Sequence, residues 1–177
     1  MNNDLVSDLY KSIDEGREGK HIGTSTGLAK LDNWIGGIQK RTYYLISGLS
    51  GAGKTSFALY SFIYKPLCAH LDDDNYLVVY YSLDMSVNKL LAKLLALHLW
   101  DEYNIVVSYK ELMSWTEPMN DWTYEYVQKS RGWMEKLTKH LIIYDKQLNR
   151  DNFYHTMMEI FNKRGTWEDI GYSKVSR

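Results

Sequence analysis

Apolar positions along this chain switch between a helical and an extended period. Residues 4–14 set Leu5, Leu9 and Ile13 four apart, with Val6 and Tyr10 beside them, which predicts an amphipathic helix with a narrow apolar stripe. The charged link DEGREGKHIG follows, so the stripe has no partner nearby in sequence and is expected to pack on another chain. TYYLIS at 42–47 is a short run of β-formers ending at Gly48, a predicted strand. Residues 54–65 read as a helix stopped by Pro66, and Asp72, Asp73 and Asp74 mark a turn. The near-continuous apolar run YLVVYYSL at 76–83 predicts a strand buried on both faces, as in parallel sheets. Ser86 is placed to cap a helix over 87–100, and Ser108 and Glu111 have the spacing of a capping box opening a short helix. Residues 121–139, carrying Trp122, Tyr126 and Trp133, predict a longer helix, and LIIYD at 141–145 predicts a third strand. Asn149 and Gly165 bracket a last helix over 150–164. Strands alternating with helices imply an α/β fold, a mainly parallel sheet flanked by helices, with no internal repeat.

Composition narrows this picture. A chain of 177 residues with 45% hydrophobic and 24% charged residues fits one globular domain. The net charge of −1 supplies no global basic field, so a nucleic-acid site has to be local or assembled from several subunits. Cys68 is the single cysteine, which excludes an internal disulfide framework and a cysteine-rich zinc site. The opening MNNDLVSDLY carries no export signal, and the densest apolar stretch, Leu90 to Trp100, is interrupted by Lys93 and His98 and is too short to span a bilayer. These features predict a reducing cytoplasm and no membrane partner.

The chemistry concentrates between the first predicted strand and the helix after it. GLSGAGKT at 48–55 satisfies G-x-x-x-x-G-K-[ST] at every position. Gly48, Gly51 and Gly53 let the backbone turn back so that several N–H groups point into one concavity, with no side chain keeping a phosphate away. The helix that follows adds the positive end of its dipole. Lys54 offers a mobile charge to the β- and γ-phosphates, and Thr55 offers a hydroxyl to Mg²⁺. The candidate nucleotide-binding residues are therefore Gly48, Ser50, Gly51, Ala52, Gly53, Lys54, Thr55 and Ser56, with ATP and magnesium as the ligands and Thr55 as the metal contact.

Further stretches resemble the DnaB-type replicative DNA helicases with a RecA-like motor. TSTGLAKLDNWIGGIQKRTYYLISGLSGAGKTSFAL at 24–59 is similar to that family's Thr-Gly-x-x-x-Leu-Asp element, its Gly-Gly-(Leu/Ile)-Gln element and its phosphate cradle. YYSLDMS at 80–86 resembles the Ser-Leu-Glu-Met-Ser signature, and LIIYDKQLNRDNFYHTMMEIF resembles a later strand and helix in the same order. DLVSDLYKSID resembles the linker helix through which one subunit docks on the next. The resemblance implies a linker helix at 1–20 and part of a RecA-like P-loop ATPase domain at 21–177. It also implies a hexameric ring joined through the N-terminal helix, and ATP hydrolysis coupled to movement on single-stranded DNA in a bacterial or virus-infected cytoplasm. Lys54 and Asp84 are the implied catalytic residues, Asp84 standing where the family has a glutamate that orients and deprotonates the attacking water. Aspartate is one methylene shorter, and about 1 Å of misplacement costs on the order of 10²-fold in rate. Lys93 stands where the family often has an arginine, whose planar hydrogen bonding lysine cannot copy.

The family's magnesium-holding aspartate, glutamine sensor, DNA loops and arginine finger have no counterpart before Arg177, so an incomplete sheet from the first part of a longer motor is expected. Asp145 carries the apolar-run-plus-Asp pattern of a magnesium ligand, but the resemblance assigns that run to an earlier strand. Three other readings stay open: Asp84 as an acid at a helix start in a non-catalytic nucleotide-binding module, a recombinase-like ATPase, and a small-molecule phosphotransferase. The scattered histidines lack ligand spacing, so surface or packing roles are expected for them; no basic cluster interleaves with Trp115, Trp122, Trp133 and Trp167, so core or subunit packing is expected there.

Overall fold

The computed structural model describes residues 2–145, 150–165, 167–169 and 174–176. Helix α1 (Asn2–Arg17) carries the predicted stripe, and that stripe lies in solvent: Leu5 is 70% and Ile13 49% exposed. The chain then folds into a small knot built on Asp32. Its carboxylate accepts from the Ser25 hydroxyl (2.6 Å), the Thr26 hydroxyl (2.7 Å) and the Thr26 amide (2.9 Å), and Thr26 is fully buried. Desolvation pushes the Asp32 carboxyl up, but these bonds outweigh it and hold the group below its usual value. Asp32 thereby fixes the segment that leads into α2 (Ala29–Ile35). Beyond α2, an antiparallel bridge joins Thr24 to Ile38. Gly37 sits there at φ 77°, and a Cβ on it would come within 2.7 Å of the Gly23 carbonyl oxygen, so only glycine fits.

Residues 42–49 form no strand, contrary to the β-rich sequence. A strand exists only through a neighbour's backbone, and no described strand pairs with this segment. It is anchored instead by a side chain: the Tyr44 hydroxyl accepts from the Gln39 amide and donates to the Gly37 carbonyl, while its ring lies 5.4 Å from that of Phe62.

The next helix also departs from expectation. It runs unbroken past Pro66 as α3 (Lys54–Ala58), a π-helical segment (Leu59–Tyr64) and α4 (Lys65–Ala69). In the wider turn the Lys65 amide reaches back five residues to the Tyr60 carbonyl. This opens the ladder at the point where a proline cannot donate, so the ring of Pro66 is tolerated and ends up buried. The aspartate turn forms as predicted, with the Asn75 amide donating to Asp73.

Strand β1 (Val78–Tyr81) pairs in parallel with β2 (Leu141–Tyr144), Val78 opposite Leu141 and Tyr81 opposite Tyr144. Among the described residues this sheet has two strands, both mostly half-buried, so β1 is not buried on both faces as predicted. Helix α5 (Val87–Tyr103) follows β1 and ends at Asn104 in the left-handed region. The capping box is formed in full at α6 (Tyr109–Leu112), with Ser108 and Glu111 bonded reciprocally. The predicted 121–139 helix is two: α7 (Asp121–Lys129), capped by Asn120, and α8 (Arg131–Lys139). Ser130 divides them. Its hydroxyl bonds back to the Tyr126 carbonyl at 2.9 Å, competing with the helical ladder. Helix α9 (Arg150–Arg164) ends where the Gly165 amide meets the Phe161 carbonyl; the predicted Asn149 cap lies outside the described residues. An antiparallel pair, β3 (Trp167–Asp169) and β4 (Lys174–Ser176), has no counterpart in the sequence reading.

The core joins Leu59, Ile63, Tyr64 and Leu67 of the long helical run to Leu90 and Leu94 of α5, Leu137 of α8 and Leu141 of β2. Burying each such side chain contributes roughly 1.5–3 kcal/mol. Cys68 lies half-buried against this core, and burial pushes its thiol above the ordinary value. At the far end of α5, His98 stacks flat on Trp133 with ring centres 3.8 Å apart and is 7% exposed. Burial holds the imidazole below its ordinary value despite the nearby carboxylates of Glu102 and Asp101. A depressed histidine is neutral in the native state while the unfolded chain takes up a proton below about pH 6.5, so stability is lost as pH falls through that range. Urea unfolding between pH 7.5 and 5 is expected to show this loss, and His98→Phe is expected to flatten it.

Candidate functional site

The glycine-rich turn at 48–53 leads directly into the helical run that starts at Lys54. Gly51 and Gly53 take φ values of 80° and 85°, and Gly53 caps the helix from the left-handed region. A Cβ at either position would meet nothing within 4 Å, so it is the left-handed backbone, not lack of room, that favours glycine here. Gly48 differs: it lies outside the positive-φ set, and a Cβ there would make ordinary contacts with Ala52 and Lys54. The turn is held by the Ala52 amide on the Leu49 carbonyl, and the helix begins with the Phe57 amide on the Gly53 carbonyl. Gly48, Ser50, Gly51, Ala52 and Gly53 are exposed along this turn, and Lys54, Thr55 and Ser56 form the first turn of the helix behind it. The Lys54 ammonium folds back over the loop, donating to the carbonyls of Gly48 (3.0 Å) and Leu49 (2.9 Å). The stretch thus presents an open backbone turn, the positive end of a helix and a cation on a flexible stem, which fits a polyphosphate. Thr55 sits where its hydroxyl could hold a magnesium ion bound to such a group.

Asp84 lies on the segment leaving the carboxyl end of β1, and its presentation follows from the residues around it. Ser82 is buried; its amide donates to the Tyr144 carbonyl (2.7 Å), its hydroxyl donates to the Met85 carbonyl (2.6 Å) and accepts from the Met85 amide (3.0 Å). Ser82 and Met85 are therefore pinned inward, and the intervening Leu83 and Asp84 project to solvent. Burial raises the phenol of Tyr80, and the nearby Asp84 carboxylate raises it further. Ser86 holds the cap position of α5 as predicted, but its side chain makes no capping bond.

The two helical runs share a direction. Tyr64 and Lys65 both bond Asp101, at 3.1 and 2.5 Å, while Ser56 and Leu59 share a groove with Lys93 and Leu97. Low numbers face low numbers, so the run 54–69 and α5 lie side by side in the same direction. Their leading ends, one preceded by the glycine turn and one by Asp84, fall on one side of the domain. Lys93 is drawn with Lys89 over the face of Tyr109, at 5.5 and 5.1 Å from the ring centre. Of the four tryptophans considered for base stacking, Trp133 packs against Tyr64 and His98, Trp122 against Tyr126 and Trp115 against Tyr109. The side chain of Trp167 lies outside the described residues. Sequence reasoning passed over Ser82. A serine three residues before a buried methionine at a strand end was the available signal. Ser82→Ala is expected to cost about 1–3 kcal/mol by stripping two buried bonds, read as a lowered urea midpoint at constant slope.

The sequence profile of the DnaB-like helicase C terminal domain matches residues 23–147. No curated protein matches the chain. Among the described residues, no helix is long and apolar enough to cross a membrane.

Proposed function

The chain belongs to the DnaB-like helicase C-terminal domain family, and from that premise we propose that it is the ATP-binding motor portion of a ring-forming DNA helicase that hydrolyses ATP to move on single-stranded DNA. The observation that carries this reading is the common end shared by the glycine turn and Asp84. In this reading the amides of residues 48–56 donate to the phosphate oxygens, and Lys54 leaves the Gly48 and Leu49 carbonyls for the β- and γ-phosphates. Thr55 would hold magnesium, which when bound neutralises phosphate charge. Asp84 orients a water on the γ-phosphorus and takes its proton as the new P–O bond forms and ADP departs. The exposed stripe of α1 supports docking on a neighbouring subunit in a hexameric ring, since Leu5, Leu9 and Ile13 are left uncovered.

Lys54→Ala is expected to weaken Mg-ATP binding by about ten- to a hundredfold in calorimetry, because a charge-assisted contact is lost. Turnover that is unchanged without Lys54 rules out the phosphate-binding assignment. Asp84→Asn is expected to keep ATP binding while phosphate release, measured with single-stranded DNA, falls by about 10²–10⁴-fold. Tight binding with no release even in the unaltered protein would instead mark a non-catalytic nucleotide module.

A further inference from the structure

Helix α5 begins three residues after Asp84, and the side chain of its cap residue, Ser86, makes no bond to the first-turn amides. An acceptor for the first of those amides, that of Val87, comes from just beyond the neighbouring strand. Asp145, the residue after β2, accepts from the Val87 amide through Oδ2 at 3.2 Å. The parallel register makes this possible, for Tyr81 lies opposite Tyr144, and both chains leave the sheet on the same side. The segment 82–87 is consequently held at both ends by two consecutive residues of β2's exit. The Tyr144 carbonyl takes the Ser82 amide and the Asp145 carboxylate takes the Val87 amide. A negative charge at the start of a 17-residue helix is also favoured by its dipole.

We infer that Asp145 is a positioning residue for Asp84: a cross-strand tether that fixes where the Ser-Leu-Asp-Met loop starts its helix and so where the Asp84 carboxylate stands. This rests on the reading of Asp84 as the base. It gives Asp145 a role through the protein backbone, where the sequence pattern suggested a magnesium ligand.

Amide hydrogen exchange on the full chain tests the tether directly. In Asp145→Leu, Val87 is expected to exchange about five- to tenfold faster, while Val79 and Tyr81 in the strand stay as they were. Asp145→Asn keeps an acceptor oxygen and is expected to restore most of the protection. An unmoved Val87 in the leucine variant, or a loss spread evenly over β1, overturns the proposal. In turnover, Asp145→Leu is expected to lower kcat with the KM for ATP unchanged, and to lower it no further when Asp84 is already Asn. Additive losses overturn action through Asp84. Full turnover in Asp84→Asn alone would overturn the functional reading, and the positioning role with it, while the exchange result still judges the tether by itself.

Discussion

Two helices that run side by side in the same direction are what the candidate site depends on, because same-direction packing is what puts two loops far apart in sequence at one end of the domain. Asp101 secures the trailing ends by bonding both Tyr64 and Lys65, and Leu59, Ile63, Leu90 and Leu94 fill the seam between. The parallel pairing of β1 and β2 extends the same logic to the sheet, sending Ser82 and Asp145 out on one side. The direction of the elements sets which end of the domain carries the chemistry, and the packed leucines hold that direction.

The loops themselves are governed by backbone polarity. Around the glycine turn, positive φ at Gly51 and Gly53 turns the chain tightly without side chains, and Lys54 meanwhile answers two of the loop's own carbonyls. At the other loop, Ser82 closes a small ring of bonds with Met85, and its amide and that of Val87 are taken up by β2's exit. At this second loop the amides of Ser82, Met85 and Val87 all have acceptors, as the cost of unpaired polar groups favours. One loop stays open to a ligand while the other holds an acidic side chain outward.

Local rules were legible wherever one residue's chemistry acts on its near neighbours. The Ser108–Glu111 box, the aspartate turn and the glycine turn before a helix all formed as the spacing predicted. Expectations failed in one place for want of a distant partner and in two others through backbone bonding that composition does not reveal. TYYLIS has strand composition but no described strand beside it; Pro66 ends most helices but is absorbed by a π-helical turn; Ser130 splits a helix whose apolar pattern runs on. Ser86 took its predicted position without its predicted bond.

Taken alone, then, the sequence determined the phosphate-type turn, the cap motifs, the family resemblance through 24–59 and 80–86, and the α/β alternation, since each depends on contacts within a few residues of chain. Only the tertiary structure decided that residues 42–49 join no described strand, that α1 leaves its apolar stripe uncovered, and that Asp145 reaches the start of α5. Those outcomes turn on which elements become neighbours. That is settled by how apolar faces pack and which backbone groups find partners across 58 residues of chain, as between Val87 and Asp145, and spacing along the sequence does not encode it.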